Sequence, residues 1–480
     1  MKKIISLLLA AVTAVSLCSC GTQKTAGNNG EPVTITWLMC GDKQTDQESV
    51  NEKINEITVP AINAKLDIQY IDMGSYQERM KMNMASGNDS YDMCFVGFNN
   101  PYITAADNGS LYDITDMLDK HKTLKDSIPE YFWEGSTYND RIYAVPNVQV
   151  AATAIGVFVK KDLADEYGLN LDDIQYINDM EPFLKWVKEN HPEVYPFRTG
   201  PMGAFKDVEE TYDIGSGGCY AVIDKESGKV TVKSGYDVDN RARYELLRDW
   251  YNKGYIRKDN AVVTDDSQEY NAGKYACWML TYKPGVEAEI YTSKGYQAYS
   301  KMLTEPYQCG LIGSSTMMGI NVNSKNPEKT MDMIELIQTN KELYNLICFG
   351  IEGKHYKIEN DRVVQDKQAG YMPTMTWRFG NQFNAMLIEG QPDGVWEETQ
   401  KFNDEAYKTP LLGFTFDSSK VRTEIAQIQT IGQRYSGSSK GTEDISGDYF
   451  DRLKSELKQA GAERVTEEAQ RQVDEFLNKK

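Results

Sequence analysis

Residues 33–96 alternate short β-branched runs with amphipathic stretches, and this alternation limits the fold more than any other feature of the chain. VTITWLM at 33–39 reads as a strand. A helix is expected over 46–57, with Val50, Ile54 and Ile57 on one face and Pro60 just beyond. LDIQYI at 66–71 is a second strand. Ser75 and Glu78 have the spacing of a capping box, opening a helix with Met80 and Met84 inward and Gly87 at its end. DMCFV at 92–96 is a third strand. Strand, helix, strand, helix, strand predicts a parallel sheet with right-handed crossovers.

A second unit begins after Tyr143-Ala-Val-Pro146. AIGVFV at 154–159 is a strand, and 161–167 a short helix stopped at Gly168. Asn178 caps a helix carrying Phe183, Trp186 and Val187. CYAVID and KVTVK flank a turn at 225–228 and form a hairpin. The glycine run at 215–218 lacks the Gly-Lys-Ser/Thr ending of a phosphate loop and reads as a turn or mobile loop. A helix over 240–252 precedes KYACWML at 274–280, a further strand. MMGINV at 317–322 is a strand. Asn326-Pro327 then opens a helix to about 340, with Met331, Ile334 and Ile337 inward. HYKI and RVV make a short hairpin, and amphipathic helices near 421–435, 449–459 and 466–477 close the chain. No internal repeat is visible.

The first twenty-one residues, MKKIISLLLAAVTAVSLCSCG, are a basic head, an apolar run too short to span a bilayer, and a small-residue stretch ending at Cys20. Leu17-Cys18-Ser19-Cys20-Gly21 resembles the lipobox of bacterial lipoproteins. That resemblance implies a cleaved signal over 1–19 and an acylated, palmitate-bearing Cys20. It also implies a membrane anchor on the extracytoplasmic face, since two or three acyl chains hold a protein on a bilayer. TQKTAGNNGE at 22–31 is polar and aperiodic, a tether.

About 450 mature residues exceed a single core, so two domains are expected. Without Lys2 and Lys3 there are 50 basic against 71 acidic residues, a balance of −21. This argues against nucleic acid and against broad contact with anionic lipid. Cys40, Cys94, Cys277 and Cys348 sit in apolar runs and read as small buried hydrophobes; Cys219 and Cys309 complete a scattered set without C-x-x-C. His121, His191 and His355 have no metal-ligand neighbours at useful spacing, so no metal and no cofactor is expected.

YDMCFVG at 91–97, GSTYNDRIYAVPN at 135–147, FGIEGKHY at 349–356, WRFGNQF at 377–383 and GFTFD at 413–417 carry a further likeness. With the final helices, QAGAERV and EEAQRQVDEFL, they resemble the family 1 extracellular solute-binding proteins of bacterial ABC transporters, in particular the LplA-like lipoproteins. The resemblance implies an α/β fold of two lobes, periplasmic-binding-protein-like type II, with a ligand cleft between them and extra C-terminal helices. It places the first lobe at 31–147 plus 308–350 and the second at 148–307 plus 351–480. It implies a monomer that is no enzyme and that passes an oligosaccharide or sugar derivative to a membrane permease. An amino-acid or peptide ligand, or a surface sensor, stays open on the same architecture.

A sugar offers apolar C–H faces and a rim of hydroxyls, which aromatic faces and Asn, Asp, Arg or Lys can meet. Candidates lie where strands hand over to loops: Trp37 and Asp42 at the first strand, Phe98 and Asn99 after the third, Tyr282 and Lys283 after KYACWML. Trp377, Arg378 and Asn381 lie in a long aperiodic segment, and Tyr212 and Asp213 precede the glycine run. Trp37 has core burial as its alternative. A glycosidase needs two carboxylates roughly 5–10 Å apart, and the acidic composition leaves such a pair open. No H-E-x-x-H and no Cys/His nucleophile signature accompanies it.

Overall fold

The computed structural model describes residues 30–87, 90–98, 100–200, 204–215, 217–238 and 240–480. The leader with Cys20, the tether to 29, Asn99 and the side chain of Met84 lie outside the described residues.

The chain enters the first lobe through β1 (Val33–Cys40), β2 (Ala64–Ile71), β3 (Met93–Gly97) and β4 (Ala144–Pro146). It crosses to the second lobe for β5 (Ile155–Lys160) and β6 (Tyr195–Arg198). There it adds a small antiparallel sheet of β7 (Tyr212–Asp213), β8 (Cys219–Ile223) and β9 (Val230–Ser234). β10 (Tyr275–Thr281) and β11 (Ala298–Met302) complete that lobe. β12 (Tyr307–Gly310) leads back to β13 (Thr316–Ile320) in the first sheet. A hairpin of β14 (Tyr356–Glu359) and β15 (Arg362–Gln365) follows. The helix Val395–Glu405 then brings the chain to β16 (Tyr407–Leu412), which pairs with β12.

The first sheet has the order β2-β1-β3-β13-β4. β1 runs parallel to β2 and β3, as the alternation predicts, while β13 enters antiparallel between β3 and β4. Its residues are buried on both faces, among them Trp37, Met39, Phe95 and Met318. The second sheet is mixed, β11-β5-β10-β6, with β10 parallel to β6 and antiparallel to β5. The closing helices Arg422–Arg434, Tyr449–Gln459 and Ala462–Leu477 cover the β7–β9 sheet, burying Val232 with Ile428, Leu457, Val465 and Val473. The fold is therefore α/β with two lobes and a C-terminal helical layer.

Three details depart from the sequence reading. The second helix, Met73–Ser86, is capped by Asp72, whose Oδ1 accepts from Gly74 N at 2.8 Å and Ser75 N at 3.1 Å. Ser75 is itself held by Asp72, its Oγ donating to Asp72 Oδ2 at 2.5 Å, so it lies inside the helix and not at its cap. The first helix continues to Ile62 with Pro60 inside its last turn, and Asn63, at φ 52°, ends it by donating to Val59 O. The segment 351–388, expected with the second lobe, packs into the first: Val363, Tyr371, Phe379 and Ala385 are buried in the first-lobe core. His355 helps fix that segment. It is buried, its Nδ1 accepts from Ile351 N at 2.9 Å, and its Nε2 donates to Asp46 Oδ2 at 2.7 Å.

Where the chain crosses between lobes, the fastening is amide to amide. Asn403 Oδ1 accepts from Ala151 N at 2.7 Å and Ala152 N at 3.2 Å, and its Nδ2 donates to Gln149 O at 2.7 Å. Gln308 Nε2 donates to Asn403 O at 2.9 Å, and Gln149 Nε2 to Thr316 Oγ1 at 2.7 Å. Asn403 and Gln308 are fully buried. Asn403→Leu would leave two N–H groups and one carbonyl unpaired, and each such group costs about 1–3 kcal/mol. Urea denaturation of this variant should give a loss of about 3 kcal/mol or more, with secondary structure intact by circular dichroism.

The Lys354 ammonium beside Asp46, with smaller contributions from His355 and Ser49, holds the Asp46 carboxyl down to about 2 from its usual 3.8. Its stabilising effect is complete above pH 4 and is lost as pH falls towards 2. Thermal denaturation across that window should fall more steeply for wild type than for Asp46→Asn.

Candidate functional site

β3 ends in a turn that holds an aromatic ring outward. Gly97 N donates to Asn100 O and Asn100 N to Gly97 O, both at 2.9 Å, and Asn100 Nδ2 reaches Phe95 O at 3.3 Å. A Cβ on Gly97 would lie 1.9 Å from Ser315 O, so only glycine allows this close approach. Phe98, anchored through its N–H to Ser315 O at 3.1 Å, is left 44% exposed. Nearly half of the ring is thus open to solvent at the end of a fully buried strand.

Trp377 meets it from the other side. The rings of Phe98 and Trp377 lie 6.0 Å apart at 60°, with Phe95 edge-on behind Phe98 at 5.4 Å. Met375, also exposed, continues the shelf. The turn that carries them is strained. Thr374 and Met375 stand at φ 46° and 51°, a left-handed pair without glycine that costs about 1 kcal/mol or more per residue.

Arg378 holds that turn closed. It is 1% exposed, its Nη2 donates to Pro373 O at 2.6 Å and Thr374 O at 3.1 Å, and its Nη1 donates to Cys40 O at the end of β1. A Cβ on Gly41 would lie 3.0 Å from Arg378 Nη1, so the glycine after β1 makes room for the guanidinium. Tyr344 Oη adds a bond to Thr376 O at 2.8 Å. Burial pushes the guanidinium below its usual range, and Tyr70, Cys40 and Cys348 oppose this more strongly than Asp42. Its partners are carbonyls, so Arg378 is a fastener between the end of β1 and the Trp377 turn.

The expected residues therefore separate. Phe98 and Trp377 come together. Trp37 is fully buried in the first-lobe core, edge-on to Phe379 at 6.0 Å, and corrects the expectation of a cleft ring. Asp42 is exposed beside Gly41, with its carbonyl bonded to Gln44 Nε2. Asn381 spends its Oδ1 on Phe383 N at 3.0 Å, a local cap. Tyr282 follows β10, is half-buried, and packs edge-on to Phe402 at 6.2 Å where the second sheet meets the crossing. Lys283 pairs with Glu289 at 2.6 Å. Tyr212 is core, against Tyr307 at 4.7 Å, and Asp213 is exposed.

Two features escaped the sequence reading. Arg198 ends β6, parallel to β10 and so emerging on the same side as Tyr282. It is bidentate to Asp266 at 2.7 Å over the Tyr270 ring. An arginine closing a strand before Thr-Gly was the available signal. A G-x-S-x-G spacing, expected to be absent, stands at 437–441, but Ser439 lies in a run of turns and its Oγ donates to Ser436 O at 2.8 Å.

None of the six described cysteines is in a disulfide, and burial pushes the Cys94 thiol up to about 12. Among the described residues no cluster of His, Cys, Asp or Glu could hold a metal ion, and no helix is long and apolar enough to cross a membrane. A cavity of about 1360 Å³ lies elsewhere, between Ile103, Asp107 and Tyr138 of the first lobe and Phe414, Arg471 and Phe476 of the C-terminal segment. None of the expected ligand residues lines it.

The chain matches the family model described as bacterial extracellular solute-binding protein over residues 43–343, and a domain of unknown function, DUF3502, over 410–478. It is 31% identical to a carbohydrate ABC transporter substrate-binding protein of Streptococcus pneumoniae, across 97% of this chain and 96% of the relative. The crystal structure of the N-glycan transport solute binding protein NgtS of S. pneumoniae superposes with a TM-score of 0.83 at 29% identity, covering 93% of this chain and all of that one. NgtS in complex with Man5GlcNAc superposes at 0.68 and 28% identity, over 93% of this chain and 99% of that one.

Arg378→Met keeps most of the side-chain volume and removes the three carbonyl bonds. The shelf should loosen, with a red-shifted, more quenchable Trp377 fluorescence and a melting temperature lowered by several degrees.

Proposed function

This chain belongs to the bacterial extracellular solute-binding proteins, and we propose that it captures an oligosaccharide between its lobes and delivers it to the permease of an ABC importer. The observation that carries this reading is the exposed Phe98–Trp377 pair, presented by a rigid strand end and a pinned turn. Such rings match the C–H faces of a sugar and keep their geometry without a ligand, so little ordering cost falls on binding. Tyr282 would contribute from the second lobe, with Arg198, at the end of the neighbouring strand β6, as a charged group on the same side. Asp42, exposed at the end of β1, would meet hydroxyls.

Two facts about relatives support a glycan. The curated relative is named for carbohydrate, and NgtS is described in complex with Man5GlcNAc. The lower superposition on that complex than on NgtS alone supports an open arrangement here that closes by hinge motion when both lobes touch the ligand. The lipobox-like run ending at Cys20 supports a monomer tethered at the extracytoplasmic face by acyl chains, with the polar tether giving the lobes reach.

Calorimetry with mannose- and N-acetylglucosamine-containing oligosaccharides tests the reading. Trp377→Ala should weaken binding by about tenfold or more, the worth of one aromatic face. Unchanged affinity in that variant would remove the shelf from the site.

A further inference from the structure

We infer that the second lobe holds a carbohydrate site of its own, a pocket completed by the C-terminal helical segment. The site is separate from the cleft and stands or falls without it.

The pocket measures about 580 Å³, within the range of small-ligand sites and room for about two sugar rings. One wall comes from β8, the turn after β9 and the start of the helix Arg241–Lys253. The facing wall comes from the helices Arg422–Arg434 and Tyr449–Gln459 and the loop between them. Its two walls thus belong to the two separately matched segments of the chain.

The glycine run singled out in the sequence has its use here. A Cβ on Gly217 would lie 2.8 Å from Ile425, and one on Gly218 3.2 Å from Ile428. The absence of side chains lets this loop press on the C-terminal helix. Gly235, whose Cβ would lie 3.3 Å from the Tyr220 ring, keeps the opposite side bare.

Aromatic rings line this bare floor. Tyr244 and Phe450 stack on one another at 6.0 Å and 24°, joining the two walls and turning their edges to the space, and the Tyr236 ring lines it as well. Cations brace these rings: Arg241 lies 5.1 Å from the Phe450 centroid and the buried Arg243 5.8 Å from that of Tyr244.

Four of the polar groups that line it are spare and neutral. Among the described residues the hydroxyls of Tyr236, Tyr244 and Ser436 and the amide of Gln429 carry no hydrogen bond, while all four residues line the pocket. Its charged residues are two acids, Asp237 and Asp451, and two bases, Arg241 and Lys454. Asp237 and Lys454 pair at 2.7 Å, and Arg241 pairs with Glu245 at 2.9 Å. Aromatic rings, hydroxyl and amide partners and no net charge are the features that take a neutral sugar, and they disfavour an anion or a lipid tail.

The test is saturation-transfer NMR on the full mature protein with mannose, N-acetylglucosamine and galactose, each offered alone, and with glycerol as control. Three variants separate the sites: Trp377→Ala in the first lobe, Tyr236→Ser, and Ser436→Trp, which fills the pocket without removing a packed ring. Transfer to at least one sugar should persist in Trp377→Ala and fall at least fivefold in both pocket variants, with their calorimetric oligosaccharide affinity unchanged. Transfer that disappears in Trp377→Ala, or survives Ser436→Trp, or is matched by glycerol, would overturn the pocket. Failure of the cleft reading would instead appear as unchanged affinity in Trp377→Ala and leave the pocket result as it stands.

Discussion

The two lobes are held in one arrangement by buried amide side chains at the places where the chain passes between them. Asn403 is the centre. It satisfies two backbone N–H groups of the first crossing through one oxygen and a carbonyl of the same crossing through its nitrogen. Its own carbonyl takes Gln308 from the second crossing. Gln149 then ties the first crossing to β13 through Thr316, and Asn147 donates to Arg378 O at 2.9 Å. Hydrogen bonds of this kind add only about 1 kcal/mol each when made and cost more when broken, because their partners are already out of water. A greasy crossing could slide through many registers. An amide crossing has few, and each is well defined.

That chain of bonds ends at the aromatic shelf. Asn147 holds the carbonyl of Arg378, and Arg378 holds Pro373, Thr374 and Cys40 through its guanidinium. The left-handed Thr374–Met375 pair is unfavourable by itself and persists because these groups over-determine it. Strain here has a structural return: it turns Trp377 out of the core to meet Phe98 while Phe379, two residues on, turns in to meet Trp37. The shelf and the crossing are one connected set of contacts, so a change in lobe arrangement reaches the rings without a long relay.

The parts of this fold legible in the sequence are those written in local periodicity. The alternation over 33–96 gave the parallel strands because each strand and helix there carries its own apolar pattern. The CYAVID–KVTVK hairpin and the closing helices were legible for the same reason. The boundary near 350 was not, because 351–388 shows only one short hairpin and no period beyond it, and its allegiance depends on Tyr371, Phe379 and His355 finding partners more than 200 residues earlier or in the first-lobe core. The shelf was half legible. Phe98 stood out as an aromatic between Gly and Asn after a buried run. Trp37 had the same residue type at the end of a strand, and only its neighbours decide that it faces inward. Arg378 read as a ligand group because it lies in a long aperiodic segment, and loops on a rigid scaffold often carry function. Two of its three carbonyl partners come from a turn whose geometry no local pattern encodes, and the third from the end of β1, more than 300 residues earlier.

The crossing is fastened through one half of each amide. Asn147, Gln308 and Gln338 donate from their nitrogens to Arg378 O, Asn403 O and Pro146 O. Each of these acceptors is a backbone carbonyl, so the bonds depend on where the main chain runs and not on the rotamer of a second side chain. Pro146 ends β4, Arg378 belongs to the Trp377 turn and Asn403 to the helix before β16, so three separate stretches are tied to one place. Removing any one amide breaks a named bond between two of them, and because the partners are already buried the loss exceeds what the bond added when it was made.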